Sequence, residues 1–179
     1  ALSNIFKNKI FIKAFEAQSN MFKMFQKTIE INKINNIKLY LNAVSDKNDE
    51  LIKIELPDYT KLNNFGALEL HKPFKNSTNF KLIKSGIYEN VKTIKLDSFD
   101  ENVDFIKIDI EGMEDLAISG AKNLINKFRP ILYIELLKTN NQDIVNFFKK
   151  IEYRIYLVSN NAFLIPNESK INFTGLKKL

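Results

Sequence analysis

Two carboxylates and a glycine follow an apolar run in the stretch Asp104-Phe-Ile-Lys-Ile-Asp-Ile-Glu-Gly-Met-Glu114. Residues 105–109 read as a buried strand, and a helix-like segment follows Gly112 at once. Ligands of open α/β sheets bind at the carboxyl ends of the strands. Asp109 and Glu111 therefore stand where acids can orient a ligand, take up a proton or meet a cation. Their plainer role is that of solvated loop acids, with Glu111 or Glu114 complementing a helix dipole. Glu16 ends an earlier apolar run and Glu135 a later one. A carboxylate in the position of Glu16 can accept both hydroxyls of a ribose. Its alternative is to sit at a helix N-terminus, although Ser19 can cap that helix instead. The single histidine, His71, has the unperturbed pKa of a general base. It lies in a long, weakly patterned segment, and its plainer reading is an exposed loop residue. The candidate bases are thus Asp109, Glu111, His71 and Glu135. Strand-end carboxylates also suit a hard cation such as Mg²⁺. The chain has no dedicated ligand motif, so no metal is assigned.

The elements that must hold these residues alternate in kind. Residues 9–15 form an apolar strand ending at Glu16, and Ser19 opens a helix with Phe22, Phe25 and Ile29 on one face. Residues 37–44 form a second strand, whose end runs through Asn42 to Asp46 into a polar loop. Residues 51–56 and 91–96 alternate apolar and charged side chains and read as half-exposed strands. The long connection between them, residues 58–90, contains the turn signal Asn63-Asn-Phe-Gly66 and has the length of a functional loop. Asp97-Ser98 suggests a cap for one helical turn. After the opening strand comes a helix over residues 114–127, ended by Arg129-Pro130. A buried strand at 131–136, a helix at 143–150 and a hairpin at 153–165 close the order. Apolar strands alternating with helices predict an α/β fold with a mostly parallel, doubly wound sheet and an antiparallel C-terminal hairpin. Glu16, residues 42–46, Asp109 to Glu111 and Glu135 then share one rim.

The 179 residues suit one domain, and a hydrophobic fraction of 45% with 27% charge is ordinary for a globular protein. The absence of cysteine excludes disulfides, thiolate metal sites and a thiol nucleophile. No apolar run approaches the ~18 residues of a membrane span, and the first residues lack a signal-peptide core. A cytoplasmic protein is expected. The net charge is +6, but only Arg129 and Arg154 among the basic residues are arginine. The lysines are scattered along the chain. Both features argue against a nucleic-acid partner, since arginine is the usual reader of base edges and clamp of phosphates.

Taken together, Phe15-Glu16-Ala17, Ala43-Val-Ser-Asp46, Asn64-Phe-Gly66, Leu96-Asp97, Asp104 to Glu114, Gly120-Ala121 and Arg129-Pro-Ile-Leu-Tyr-Ile-Glu135 resemble the FkbM-type methyltransferases. The resemblance covers nearly the whole chain, and residues 105–114 with the later Gly-Ala are its most specific part. It implies a Rossmann-like class I methyltransferase fold using S-adenosyl-L-methionine. Glu16, with Ala17 beside it, would bind the cofactor ribose. Ala43, Val44, Ser45 and Asp46 would lie against the adenine. Asp109 would lie near the methyl donor, with Glu111 on the same loop. The family is associated largely with O-methylation of sugars, polyketides and other small or glycan-linked hydroxyls, so a small-molecule or glycan acceptor is implied. In the family a strand and an Asp-x-Gly-Ala-Asn-x-Gly loop precede the position of Ala1. The resemblance therefore implies a single methyltransferase domain whose first strand and glycine-rich loop lie upstream of residue 1. Two other readings stay open: a non-catalytic Rossmann-like interaction module, and a nucleic-acid methyltransferase, which the basic charge suggests. Oligomeric state and the identity of the acceptor have no signal in the sequence.

Overall fold

The architecture comes from a computed structural model, which describes residues 9–66, 68, 82–136 and 141–179. In chain order the elements are β1 (Ile12–Glu16), α1 (Ser19–Ile31), β2 (Ile37–Leu41), β3 (Ala43–Val44), β4 (Leu51–Pro57) and β5 (Lys84–Ile94). A 3₁₀ turn (Leu96–Ser98) leads to β6 (Phe105–Ile108), α2 (Glu114–Ser119), α3 (Lys122–Phe128) and β7 (Ile131–Glu135). The chain ends with α4 (Asn141–Lys150), β8 (Tyr153–Val158), β9 (Asn161–Pro166) and β10 (Lys177–Lys178). The strands fall into three ladders, β1-β2, β3-β5-β4 and β10-β8-β9-β7-β6.

Strands joined through helices pair in parallel, β1 with β2 and β6 with β7. The expected C-terminal hairpin is antiparallel, with β9 between β8 and β7. The alternation in β7 explains its place: Leu132 and Ile134 are fully buried, while Ile131, Tyr133 and Glu135, which alternate with them, are only partly so. Both join a core with Ile108, Ala117, Ile125 and Phe148, which brings α2, α3 and α4 onto one face. Tyr133 packs on Phe163 with ring centroids 4.6 Å apart, and Phe173 closes over Phe163 at 4.7 Å. Thus the residues after β9 cover the other face. The only two arginines fasten them there. Arg129 forms a two-pronged pair with Glu168 (2.8 and 3.1 Å), and Arg154 donates to the carbonyls of Pro166, Ser169 and Ile171 and to Asn172.

Several local expectations are redrawn by long-range contacts. The single strand expected over residues 37–44 is split at Asn42, whose N–H reaches Glu16 O and whose side chain reaches Lys92 O. One half therefore pairs with β1 and the other with β5. The expected helix over residues 114–127 breaks into α2 and α3 at Gly120-Ala121. Asp97 caps α3, its carboxylate accepting the N–H groups of Leu124 (2.8 Å) and Asn123 (3.3 Å), rather than its own turn. Ser19 is the first residue of α1 and not its cap. Its N–H is taken at 2.9 Å by Glu89 of β5, a partner 70 residues away that no local pattern reveals.

Candidate functional site

The ends of β1, β2 and β6 converge on one cleft. Phe15 and Glu16 come from β1, and Ala17, Gln18 and Met21 from the turn into α1 and its first turn. Asn42, Ala43 and Val44 form a second side. Asp109, Ile110, Glu111 and Met113 close it from the loop after β6, and Gly66 and Leu68 complete the lining. Strand directions explain this convergence: β1 and β6 each deliver an acid just where the strand ends and a helix follows.

Glu16 is half-buried, and its Oε1 accepts the backbone N–H of Gln18 at 2.8 Å. Burial pushes its carboxyl above the ordinary range, and nearby Glu89 adds to this. The N–H groups of Gln18 and Ala17 act in the opposite direction. The buried amide of Gln18 then does two further things. Its Nε2 donates to Phe65 O at 2.9 Å, and its Oε1 accepts the Tyr59 hydroxyl at 2.7 Å. Tyr59 and Phe65 stack at 5.0 Å. One side chain thereby ties the turn before Gly66 to the strand end that carries Glu16.

On the opposing loop, Asp109 accepts Lys107 Nζ at 2.7 Å, a pairing that strand periodicity allows because residues two apart share a face. Glu111 sits in the left-handed region with φ +56°, followed by Gly112 at φ +101°. For a non-glycine residue this conformation costs of order 1–3 kcal/mol and needs support from its surroundings. On either side of Glu111, the N–H groups of Ile110 (3.1 Å) and Gly112 (3.0 Å) donate to Glu114, a carboxylate only 1% exposed. Burial pushes the Glu114 carboxyl up, its backbone hydrogen bonds pull it down, and the charge of Glu111 raises it further. One carboxylate oxygen each of Asp109, Glu111 and Glu135 lie within 4.8 Å of one another. Oxygen ligands in that arrangement could take a hard cation.

Of the residues singled out from sequence, Glu16, Ala17, Ala43, Val44, Asp109 and Glu111 are brought together in the cleft. Glu135 joins Asp109 and Glu111. Ser45 and Asp46 are not among the lining residues; Ser45 is buried and donates its backbone N–H to Ile94 O at 2.9 Å. His71 lies outside the described residues. Sequence reasoning passed over Gln18, Met21 and Met113 as lining groups. Only Gln18 left a hint, as an amide two residues after a strand-end acid.

An α/β fold that presents acids from strand ends to one cleft has the form of a ligand-binding domain. A profile of the Methyltransferase FkbM domain matches residues 7–156, and the chain belongs to that family. Among solved structures it is similar to the methyltransferase FkbM from Methylobacillus flagellatus KT, with a TM-score of 0.61 and 17% identity. The match covers 91% of this chain and 39% of that one, so the chain corresponds to well under half of that protein. At that identity the likeness speaks for the fold, which agrees with the α/β order predicted from sequence. The comparison with curated proteins returns no match. Among the described residues, no helix is long and apolar enough to cross a membrane.

Proposed function

We propose that the protein takes part in methyl transfer from S-adenosyl-L-methionine to a hydroxyl of a sugar, glycan or other small molecule, in the cytoplasm. The observation that carries this reading is the convergence of Glu16 and of the Asp109–Glu111 loop on one cleft. The lining fits the cofactor's chemistry. Three carboxylates and no basic residue occur among the described lining residues, which suits a sulfonium cation. Phe15, Met21, Val44, Leu68, Ile110 and Met113 supply apolar surface for an adenine.

The bound cofactor supplies a methyl group already activated for transfer. Glu16 would accept the ribose hydroxyls, with Ala17 beside it, and Ala43 and Val44 would flank the base, with Ser45 and Asp46 supporting that segment. Asp109 and Glu111 would hold the acceptor oxygen in line. Alignment of this kind contributes roughly 7–11 kcal/mol. Removing the hydroxyl proton is general-base work of about 10²–10⁴-fold. The candidates for it are Asp109, Glu111, Glu135 and His71.

The test is calorimetric titration of the natural gene product with S-adenosylmethionine and S-adenosylhomocysteine. Saturable binding that Glu16→Ala weakens strongly is expected. Absence of binding to either compound would remove the reading.

A further inference from the structure

The two amides that flank Glu111, those of Ile110 and Gly112, point to one carboxylate, Glu114. Consecutive amides around a left-handed residue form a concave, anion-binding nest. The anion in such a nest can be a bound ligand. Here it is the chain's own side chain, buried at 1% exposure in the first turn of α2. With the amides on either side of Glu111 turned to that carboxylate, Glu111 itself lines the cleft, and one of its oxygens lies within 4.8 Å of one each of Asp109 and Glu135. Met113, the residue before Glu114, is only 3% exposed and lines the cleft. Glu114 itself is not among the residues lining the cleft.

We propose that Glu114 is a positioning residue that acts through Glu111: by filling the nest it holds Glu111 in its left-handed conformation and aims it into the cleft. The functional half of this statement rests on the methyltransferase reading; the conformational half does not. Glu114→Gln is the discriminating substitution. It keeps the size of the side chain but replaces one acceptor by an NH₂ group, which faces a backbone donor and cannot satisfy it.

Two measurements on the natural gene product test the proposal. The first is amide hydrogen exchange, followed by NMR. In the wild type, Ile110 and Gly112 are expected to exchange at least tenfold more slowly than unstructured amides, although they lie in a loop. In Glu114→Gln they are expected to speed up tenfold or more while Ile134 of β7 is unchanged. Unprotected amides in the wild type overturn the proposal even if the variant does not fold. The second is affinity for S-adenosylmethionine, whose sulfonium charge the Glu111 carboxylate favours in the methyltransferase reading, in the wild type, Glu111→Gln, Glu114→Gln and the double variant. If Glu114 acts through Glu111, each single change weakens binding roughly tenfold and the double variant is no weaker than the weaker single one. Losses that multiply overturn it. A wild type that binds nothing sinks the methyltransferase reading, and the exchange rates still judge the loop.

Discussion

A side-chain carbon placed on Gly120 would lie 2.0 Å from the carbonyl oxygen of Ser45 and 3.0 Å from the Cα of Asp46. The break between α2 and α3 thus touches the backbone of the segment that follows β3. Gly120 O also accepts the N–H of Asp97 at 2.8 Å, and Asp97 caps α3. The glycine is required here for close approach, since its φ of −80° is open to any residue.

Gly120→Ala should therefore move the 45–46 backbone or the helix turn. Overpacking of this kind costs typically 1–3 kcal/mol. Urea denaturation should show that loss. Calorimetry should show weaker cofactor binding as well, because Ala43 and Val44 line the cleft immediately before Ser45. A variant as stable as the wild type would contradict the close approach.

Glu16→Gln should separate binding from stability. Burial raises the folded-state pKa of Glu16 above its ordinary 4.5, so the folded state holds the proton more tightly than the unfolded state. Its contribution to stability is then fullest below pH about 4.5 and declines as pH rises through the raised pKa. At neutral pH the glutamine variant should melt at or above the wild-type temperature. Its affinity for S-adenosylhomocysteine should fall by roughly tenfold to a hundredfold, as expected for losing hydrogen bonds of about 1.5–3 kcal/mol to a charged group. Melting curves and titrations at pH 7 check both halves.

Gln18→Leu should loosen the turn that precedes Gly66. The substitution removes the acceptor of the Tyr59 hydroxyl and the donor to Phe65 O, both part-buried. Leaving such groups unpaired costs about 1–3 kcal/mol. Limited proteolysis should cut residues 59–66 faster in the variant, with β7 and β9 unaffected. Equal cleavage rates would show that the amide does not hold the turn.

Arg129→Ala should destabilise the packing of the C-terminal segment. The guanidinium pairs with Glu168, donates to the carbonyls of Ile151 (2.7 Å) and Glu152 (3.3 Å), and lies 4.5 Å over the Tyr153 ring. The pair with Arg129 holds the Glu168 carboxyl down at about 2. That contribution is present above the ordinary carboxylate pKa of about 4.5 and is lost as pH falls toward 2. The loss in Tm caused by Arg129→Ala should therefore be larger at pH 7 than at pH 2. Because Glu168 is largely exposed, high salt should reduce the pH-dependent part.

The amino-acid sequence by itself determined the order and kind of the main elements, because their signals are local. The apolar run at residues 131–136, a helical stripe ending in Phe147-Phe148 and the turn at Ser159-Asn160 are readable without partners. It also placed Glu16, Asp109 and Glu111 at strand ends, since each acid directly follows an apolar run. Tertiary structure alone decided which of these acids meet. Glu135 joins Asp109 and Glu111 because β6 and β7 pair in parallel and in register, Ile108 opposite Ile134. Glu89 reaches Ser19 across 70 residues, Asp97 caps a helix 25 residues later, and Asn42 divides a strand between two ladders. Such satisfaction of backbone donors depends on where distant segments are packed, and no local period encodes it. The same holds for Glu114. From the sequence it was an acid near a helix start; the fold made it the buried anion around which the Asp109–Glu111 loop turns.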